Sequence, residues 1–304
     1  MKKGKQLYLE VLRCIALLFV VTIHVVAIPI QNWSVNQGIW YPAYAITYIV
    51  GNFGVPLFLM ISGSLLLDPK RDISLEKLYK KMIPRILLPL LFFGYSFALM
   101  EIFFDTHRIT SSMFMEGALR VLNKQSWGHL WYLYLLIGIY LVLPIIRMTL
   151  DKISDKQLEY LMVILCFLGF MIPTINAVFG TTISLEQPKP LCHLTCFIMG
   201  YVLSRYYTSE EFKKYLYLSG SISLVILLLF GLFVGKIGYE YYTVLGRYDC
   251  IFVFGAASMI FLLVNDKKAT IEKVAKIQGG VHSLPRRLLI WNLSNPSSGH
   301  EYFV

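Results

Sequence analysis

The sequence predicts an all-α fold, a polytopic bundle of transmembrane helices, and two observations lead to this prediction. Hydrophobic residues make up 57% of the 304 residues, charged residues make up only 15%, and the mean hydropathy is +0.61. A soluble domain of this length needs more charge on its surface. Apolar runs such as LWYLYLLIGIYLVLPII also approach the ~20 residues that cross the hydrocarbon core of a bilayer.

Hydropathy predicts about eight spans, near residues 7–28, 43–67, 84–104, 129–147, 158–178, 189–206, 215–235 and 248–265. The N-terminus is basic and leads into a long apolar run with no clear cleavage site. We therefore interpret the first span as a retained helix and not as a signal peptide. Residues 1–276 are expected to form one membrane domain, whereas residues 277–304 are polar, rich in Pro, Gly and Ser, and form an atypical tail.

The lysines and arginines are distributed unevenly between the two sides of the predicted bundle. All but six of the 28 lie on the side of the N-terminus; the exceptions are Arg108, Arg120, Lys124, Lys189, Lys236 and Arg247. The positive-inside rule then predicts a cytoplasmic N-terminus. Membrane topology accounts for the net charge of +10, so the charge does not require a nucleic-acid partner.

The five cysteines are scattered inside or beside apolar segments, and their spacing does not indicate a disulfide framework. Cys192, His193 and Cys196 form a C-H-x-x-C cluster. A metal site needs more converging ligands than these, so we predict no metal and interpret the cysteines as helix-packing residues.

The first span contains three polar residues, Glu10, Arg13 and His24. A charged group at membrane depth costs roughly 2.5–3.5 kcal/mol on insertion scales, which makes such residues candidates for a functional site. Arg13 and His24 are eleven positions apart, so in a helix they lie on one face and about 16 Å apart along the axis. Glu10 can pair with Arg13. The alternative is an interfacial ion pair and a hydrogen-bonded packing histidine.

Three further features accompany this helix. The second span, GNFGVPLFLMISGSLLL, is interrupted by small residues and Pro56, which permit close packing or a cavity. Lys77, Lys81 and Arg85 follow at four-residue spacing and form a basic stripe that could bind lipid headgroups or the phosphates of a nucleotide donor. At the opposite face, the fourth span opens with His129 and Trp131, although tryptophan belts are common there.

Four stretches, in this order, resemble the membrane-bound acyltransferase-3 family, whose bacterial members O-acylate surface polysaccharides and lipopolysaccharides. They are YLEVLRCIALLFVVTIH, GVPLFLMISGSLLL, KKMIPRILLP and HLWYLYLLIGIYLVLPII. FIMGYVLSRYY is similar to a later helix of the family. The first stretch, with its acid, Arg, ten residues and His, is the most specific, and the resemblance covers roughly residues 7–265.

The resemblance implies a function and its residues. It implies an acyltransferase with Arg13 and His24 as catalytic residues, and with Glu10, Lys81, Arg85, His129 and Trp131 in donor or substrate binding. The implied donor is acyl-CoA, most simply acetyl-CoA, and no bound cofactor is expected. The implied acceptor is a hydroxyl of a cell-surface polysaccharide or glycolipid, and the implied location is the bacterial cytoplasmic membrane.

The chain departs from the family pattern near its C-terminus. Family members typically have ten helices, whereas here the pattern is lost after NDKKATIEKVAKI, so we expect the tail from Gln278 to be a frameshift or truncation product. Two rival functions stay open. One is a transporter of polysaccharide or metabolites whose intramembrane Arg and His line a pathway. The other is a non-catalytic partner in glycan assembly.

Overall fold

The computed structural model describes residues 7–31, 41–185, 191–206, 209–237 and 246–277. These residues form helices and no strand, which confirms the all-α prediction. The predicted tail lies outside the described residues from Gln278 onward. The helices are α1 Leu7–Gln31, α2 Tyr41–Gly51, α3 Gly54–Leu66, α4 Ile83–Thr106, α5 Ser111–Leu122, α6 Trp131–Lys152, α7 Asp155–Cys166, α8 Ile172–Phe179, α9 Leu191–Tyr201, α10 Glu210–Ile237, α11 Ile251–Asp266 and α12 Lys268–Ile277.

Six helical segments of the described chain are long and apolar enough to cross a membrane: Leu7–Val26, Pro42–Leu66, Leu75–Thr106, Gly128–Lys152, Asp155–Phe179 and Glu210–Phe233. The other two predicted spans are the shorter apolar helices Leu191–Arg205 and Ile251–Asp266. At 1.5 Å per residue each is about 23 Å long, less than the ~30 Å of hydrocarbon. Hydropathy selected them because they are apolar all round, and helix α9 is almost entirely buried by its neighbours.

Two of the membrane segments contain a π-helical turn directly before a proline. Leu78–Met82 precedes α4, whose second residue is Pro84, and Phe167–Met171 precedes α8, whose second residue is Pro173. Proline has no N–H and its ring clashes with the preceding turn, so the backbone hydrogen-bond pattern has to adjust there. The basic stripe predicted from a regular helical repeat therefore lies partly on a π-helical turn.

Helices α3 and α9 pack backbone against backbone. A Cβ atom on Gly63 would lie 1.6 Å from the Phe197 carbonyl oxygen, and one on Gly200 would lie 1.8 Å from that of Met60. Only glycine allows this approach, so the small residues predicted to permit close packing in the second span do so at Gly63. This contact lies in the core of the bundle.

The remaining helices form two groups around this contact. Helix α1 packs on α2 and α3, and α10 packs on α2 and α11. Helix α4 packs on both α5 and α6, and the backbones of these three helices approach the first group less closely. The candidate site residues come from both groups, since α1 belongs to the first and α6 to the second.

Candidate active site

The ion pair predicted within the first helix is confirmed. Arg13 donates from Nη1 to Glu10 Oε1 at 2.7 Å, and the two side chains are only 18% and 15% exposed. Helix α1 is uninterrupted from Leu7 to Gln31, so Arg13 and His24 share a face as predicted, about 16 Å apart along its axis. The helix therefore presents an ion pair near one end and an imidazole near the other.

His24 contacts a second histidine that comes from the other helix group. The ring centroids of His24 and His129 are 4.2 Å apart, and the ring planes are inclined by 64°. His129 lies in the 3-10 turn Gly128–Leu130, which leads directly into α6. Both side chains are exposed on the protein surface.

Aromatic side chains support the turn that carries His129. The Trp127 ring centroid lies 5.7 Å from that of His129 and 3.9 Å from that of Phe97 on α4. Nearby, the Ser126 hydroxyl donates to the backbone carbonyl of Gly94 on the same helix at 2.6 Å. These contacts anchor the turn to α4 and hold His129 beside His24.

Trp131, two residues further along the chain, contacts a separate aromatic cluster that the sequence did not indicate. Its ring stacks on Tyr248 at 5.5 Å with an interplanar angle of 20°, and it lies 5.5 Å from His193. The His193 and Tyr248 rings are 5.1 Å apart. Burial raises the pKa of the Tyr248 phenol above its ordinary value, and the neighbouring Asp249 adds to this, so Tyr248 is a neutral hydroxyl at physiological pH.

His193 could have been selected from the sequence, because it is a histidine within the apolar helix α9. The C-H-x-x-C pattern led us to consider it only as a possible metal ligand. Within the described part of the chain, no group of three or more His, Cys, Asp or Glu side chains could hold a metal ion. Among the described residues, the cysteines at 14, 166, 192, 196 and 250 form no disulfide. Tyr248 lies three residues before α11, at the start of a predicted span, and was not selected as a site residue.

The basic stripe does not join the site by any contact among the described residues. Lys81 lies in the π-helical turn and Arg85 in the first turn of α4, and both side chains are exposed. Neither forms an ion pair with another described residue. Their role in donor binding stays a prediction.

The structure instead places a second charged group near Arg13, which sequence reasoning missed. Asp68, at the end of the second span, is buried and forms an ion pair with Arg205, which follows α9. Arg147 near the end of α6 donates hydrogen bonds to backbone carbonyls of this loop. The sequence feature that could have indicated this pair is the position of Asp68 and Arg205, each of which directly follows an apolar helix.

The comparisons with known proteins identify the family of the chain. The family model Acyl_transf_3, described as an acyltransferase domain, matches residues 6–277 and so includes every candidate site residue. No curated protein and no solved structure matches the chain. The matched region covers nearly the whole described bundle, and it contains the Arg13–His24 helix, the His129 turn and the α3–α9 contact. The chain is therefore a multi-pass membrane acyltransferase and belongs to the acyltransferase-3 family.

Proposed function

We propose that this protein O-acylates a cell-surface polysaccharide or glycolipid, taking an acetyl group from cytoplasmic acetyl-CoA. It lies in the bacterial cytoplasmic membrane with its N-terminus in the cytoplasm. The observation that carries the proposal is the contact between His24 and His129, at 4.2 Å between ring centroids, on the same face of α1 as the Glu10–Arg13 pair. Two imidazoles at one end of the helix supply a base, and a guanidinium at the other favours an anionic donor.

In this reaction His24 is the general base. Its imidazole takes the proton of the acceptor hydroxyl while the oxygen attacks the thioester carbonyl, so that a C–O bond forms and the C–S bond breaks. The imidazolium then returns the proton to the leaving thiolate, and the products are the ester and free CoA. His129, in ring contact with His24, holds the base in position and favours one orientation of its ring.

The two substrates approach from opposite ends of α1. The donor nucleotide lies at the cytoplasmic end with Arg13, and its extended pantetheine arm covers the roughly 16 Å to His24. Lys81 and Arg85 are exposed on the same side by the predicted orientation, where they attract the donor phosphates. Acyl-CoA is a substrate in this scheme, and no bound cofactor is required.

The acceptor binds beside the Trp131 and Tyr248 rings. Stacked aromatic rings offer a flat apolar face with a polar edge, which suits a sugar ring that has both C–H and hydroxyl surfaces. The further partners in this proposal are the lipid bilayer, acyl-CoA and the surface glycan, and no nucleic acid is involved. Trp131 is the first residue of α6 and directly follows the turn that carries His129, so the two residues lie close together.

The experiment is a transfer assay in membranes from cells that produce the protein, with acetyl-CoA radiolabelled in the acetyl group. We expect label on extracted glycan with the unchanged chain and none with His24→Ala, at equal protein levels in the membrane. Label on glycan with His24→Ala would remove His24 from the mechanism. If unlabelled glycan crosses the membrane and label never reaches it, the transporter alternative is correct.

A further inference from the structure

Three guanidinium groups meet at the end of α1 opposite His24. Arg13 belongs to α1, Arg71 to the loop after α3, and Arg205 to the π-helical turn that follows α9. Arg71 is half-buried and lies close enough to interact electrostatically with Arg13, Arg205, Asp68 and Tyr8. Three segments that are distant in the sequence therefore bring their positive charges to one place.

The carboxylates present do not neutralise this group. Glu10 is paired with Arg13, and Asp68 is paired with Arg205. The Asp68 carboxylate has a further partner, because its Oδ1 accepts a hydrogen bond from the backbone N–H of Lys70 at 2.8 Å. Three positive charges thus face two negative ones even before Arg147, which donates to the backbone of this loop, is counted, and Arg71 takes part in neither ion pair. Within the described chain, Arg71 forms no ion pair of its own.

A half-buried charge without a counter-ion is unfavourable, because it has lost part of its hydration. Burial lowers the pKa of the Arg71 guanidinium, and Asp68 acts in the opposite direction. Arginine nevertheless keeps its charge in proteins, so the group persists as a cation. An anionic ligand that reaches this point supplies the missing counter-charge.

The loop that carries Arg71 is held in place before any ligand arrives. Arg147 donates through Nη1 to the carbonyl of Leu66 and, at 3.2 Å, to that of Asp68. Its Nη2 donates to the carbonyl of Arg71 at 2.8 Å. One side chain of α6 therefore fixes the backbone on both sides of Asp68, and a fixed loop loses little entropy when it binds a ligand.

We propose that Arg71 and Arg205, together with Arg13, form a binding site for the phosphate groups of the acyl-CoA donor. The proposal rests on the proposed function for its choice of ligand. Guanidinium groups bind phosphate oxygens through paired N–H donors, and several of them around one anion give a strong and oriented contact. The site lies at the Arg13 end of α1, so a donor held there points its pantetheine arm towards His24.

This site differs from the one that the sequence indicated. Lys81 and Arg85 are exposed, so solvent screens their attraction for an anion. Arg71 and Arg205 are partly shielded from solvent, and the Arg205 side chain is only 23% exposed. The partly buried cluster therefore determines donor affinity, whereas the exposed stripe contributes to attraction at longer range.

The test measures binding and not turnover, with purified protein in nanodiscs of zwitterionic phosphatidylcholine. The probes are CoA, dephospho-CoA, which lacks the 3′-phosphate, and pantetheine, which lacks all phosphates. We expect Arg71→Gln to weaken CoA binding at least tenfold and to leave pantetheine binding unchanged. Lys70→Gln is the matched control, because it removes the same charge from the neighbouring exposed side chain and should change CoA affinity less than twofold.

Arg71→Lys keeps the charge and should recover part of the affinity, and an unchanged melting temperature shows that each variant is folded. If Arg71→Gln binds CoA as tightly as the unchanged protein, the proposal is wrong. It is also wrong if Arg85→Gln weakens CoA binding while Arg71→Gln does not, because the phosphates then bind at the exposed stripe.

A lipid headgroup carries the same chemistry, so a second arm uses nanodiscs that contain phosphatidylglycerol. Loss of co-purifying phosphatidylglycerol from Arg71→Gln, with CoA binding unchanged, would assign the site to lipid and overturn the proposal. The transfer assay separates this proposal from the proposed function. If CoA binding depends on Arg71 but no acetyl group is transferred, the phosphate site is supported and the proposed function is wrong. If Arg71→Gln transfers acetyl groups with an unchanged KM for acetyl-CoA, the phosphate site is wrong and the proposed function is unaffected.

Discussion

The imidazole ring of His24 lies against that of His129, with 4.2 Å between their centroids, although one residue comes from α1 and the other from the turn that opens α6. The two helices belong to groups that pack closely within themselves and less closely with each other. The pair therefore marks a place where the two groups meet, and both imidazole side chains are exposed.

His24→Ala should abolish acyl transfer, because the acceptor hydroxyl then has no base. General base catalysis is worth roughly 10²–10⁴-fold in rate, so the loss should fall in or above this range. The measurement is the initial rate of label transfer from acetyl-CoA to glycan in membranes. The control is His107→Asn, since His107 lies at the end of α4 with a φ of 53°, which Asn tolerates, and it should keep the full rate.

His129→Ala should lower kcat at least tenfold, which corresponds to about 1.4 kcal/mol in the barrier. The KM for acetyl-CoA should not change, because His129 contacts His24 and lies away from the proposed phosphate site at the Arg13 end of α1. His129→Asn retains a hydrogen-bonding side chain and should recover part of kcat. An unchanged kcat in His129→Ala would mean that the ring contact only contributes to packing.

Gly63→Ala and Gly200→Ala should each destabilise the bundle. The added methyl group would overlap a backbone carbonyl on the facing helix, so the two helices have to separate. Overpacking typically costs about 1–3 kcal/mol, and a backbone obstacle places these variants at the upper end of that range or above it. The measurement is the melting temperature of the purified protein in detergent.

The matched control for the glycines is Gly138→Ala on α6. A Cβ atom there would meet nothing within 4 Å, and alanine favours the helix by roughly 0.5–1 kcal/mol over glycine. Its melting temperature should equal or exceed that of the unchanged protein. Equal melting temperatures for Gly63→Ala and Gly138→Ala would contradict the backbone contact between α3 and α9.

Arg147→Leu should loosen the loop after α3 without unfolding the helices. The substitution removes the donors to the carbonyls of Leu66, Asp68 and Arg71, and each buried acceptor left without a partner costs roughly 1–3 kcal/mol. Hydrogen exchange followed by mass spectrometry should show faster exchange across residues 66–74. Lys152→Gln, at the exposed end of the same helix, should leave the exchange of this loop unchanged.

The fold could be predicted from the sequence to a large extent, because apolar runs of membrane length are a local property of the chain. The Glu10–Arg13 pair was also predictable, since both residues lie on one regular helix. The prediction from hydropathy was less accurate for the helix Ile251–Asp266. Hydropathy indicated a span there, but the helix is shorter than the hydrocarbon core.

The contacts that build the site were less predictable, because they join segments that are distant in the sequence. His129 was selected as a candidate, but its contact with His24 depends on how α1 and α6 pack. Trp131 was selected as well, whereas its partner Tyr248, three residues before α11, was not selected. Arg71 is one of several cations after α3 and was not selected from the sequence, and only the structure places it near Arg205.

The glycine contact between α3 and α9 also limits the routes that a substrate can take. Where Gly63 and Gly200 bring two backbones together, the gap between these helices is sealed to any solute. No route for a substrate therefore runs between α3 and α9 at this level. Under the proposed mechanism, donor and acceptor meet outside this contact, at the His24–His129 pair that joins the two helix groups.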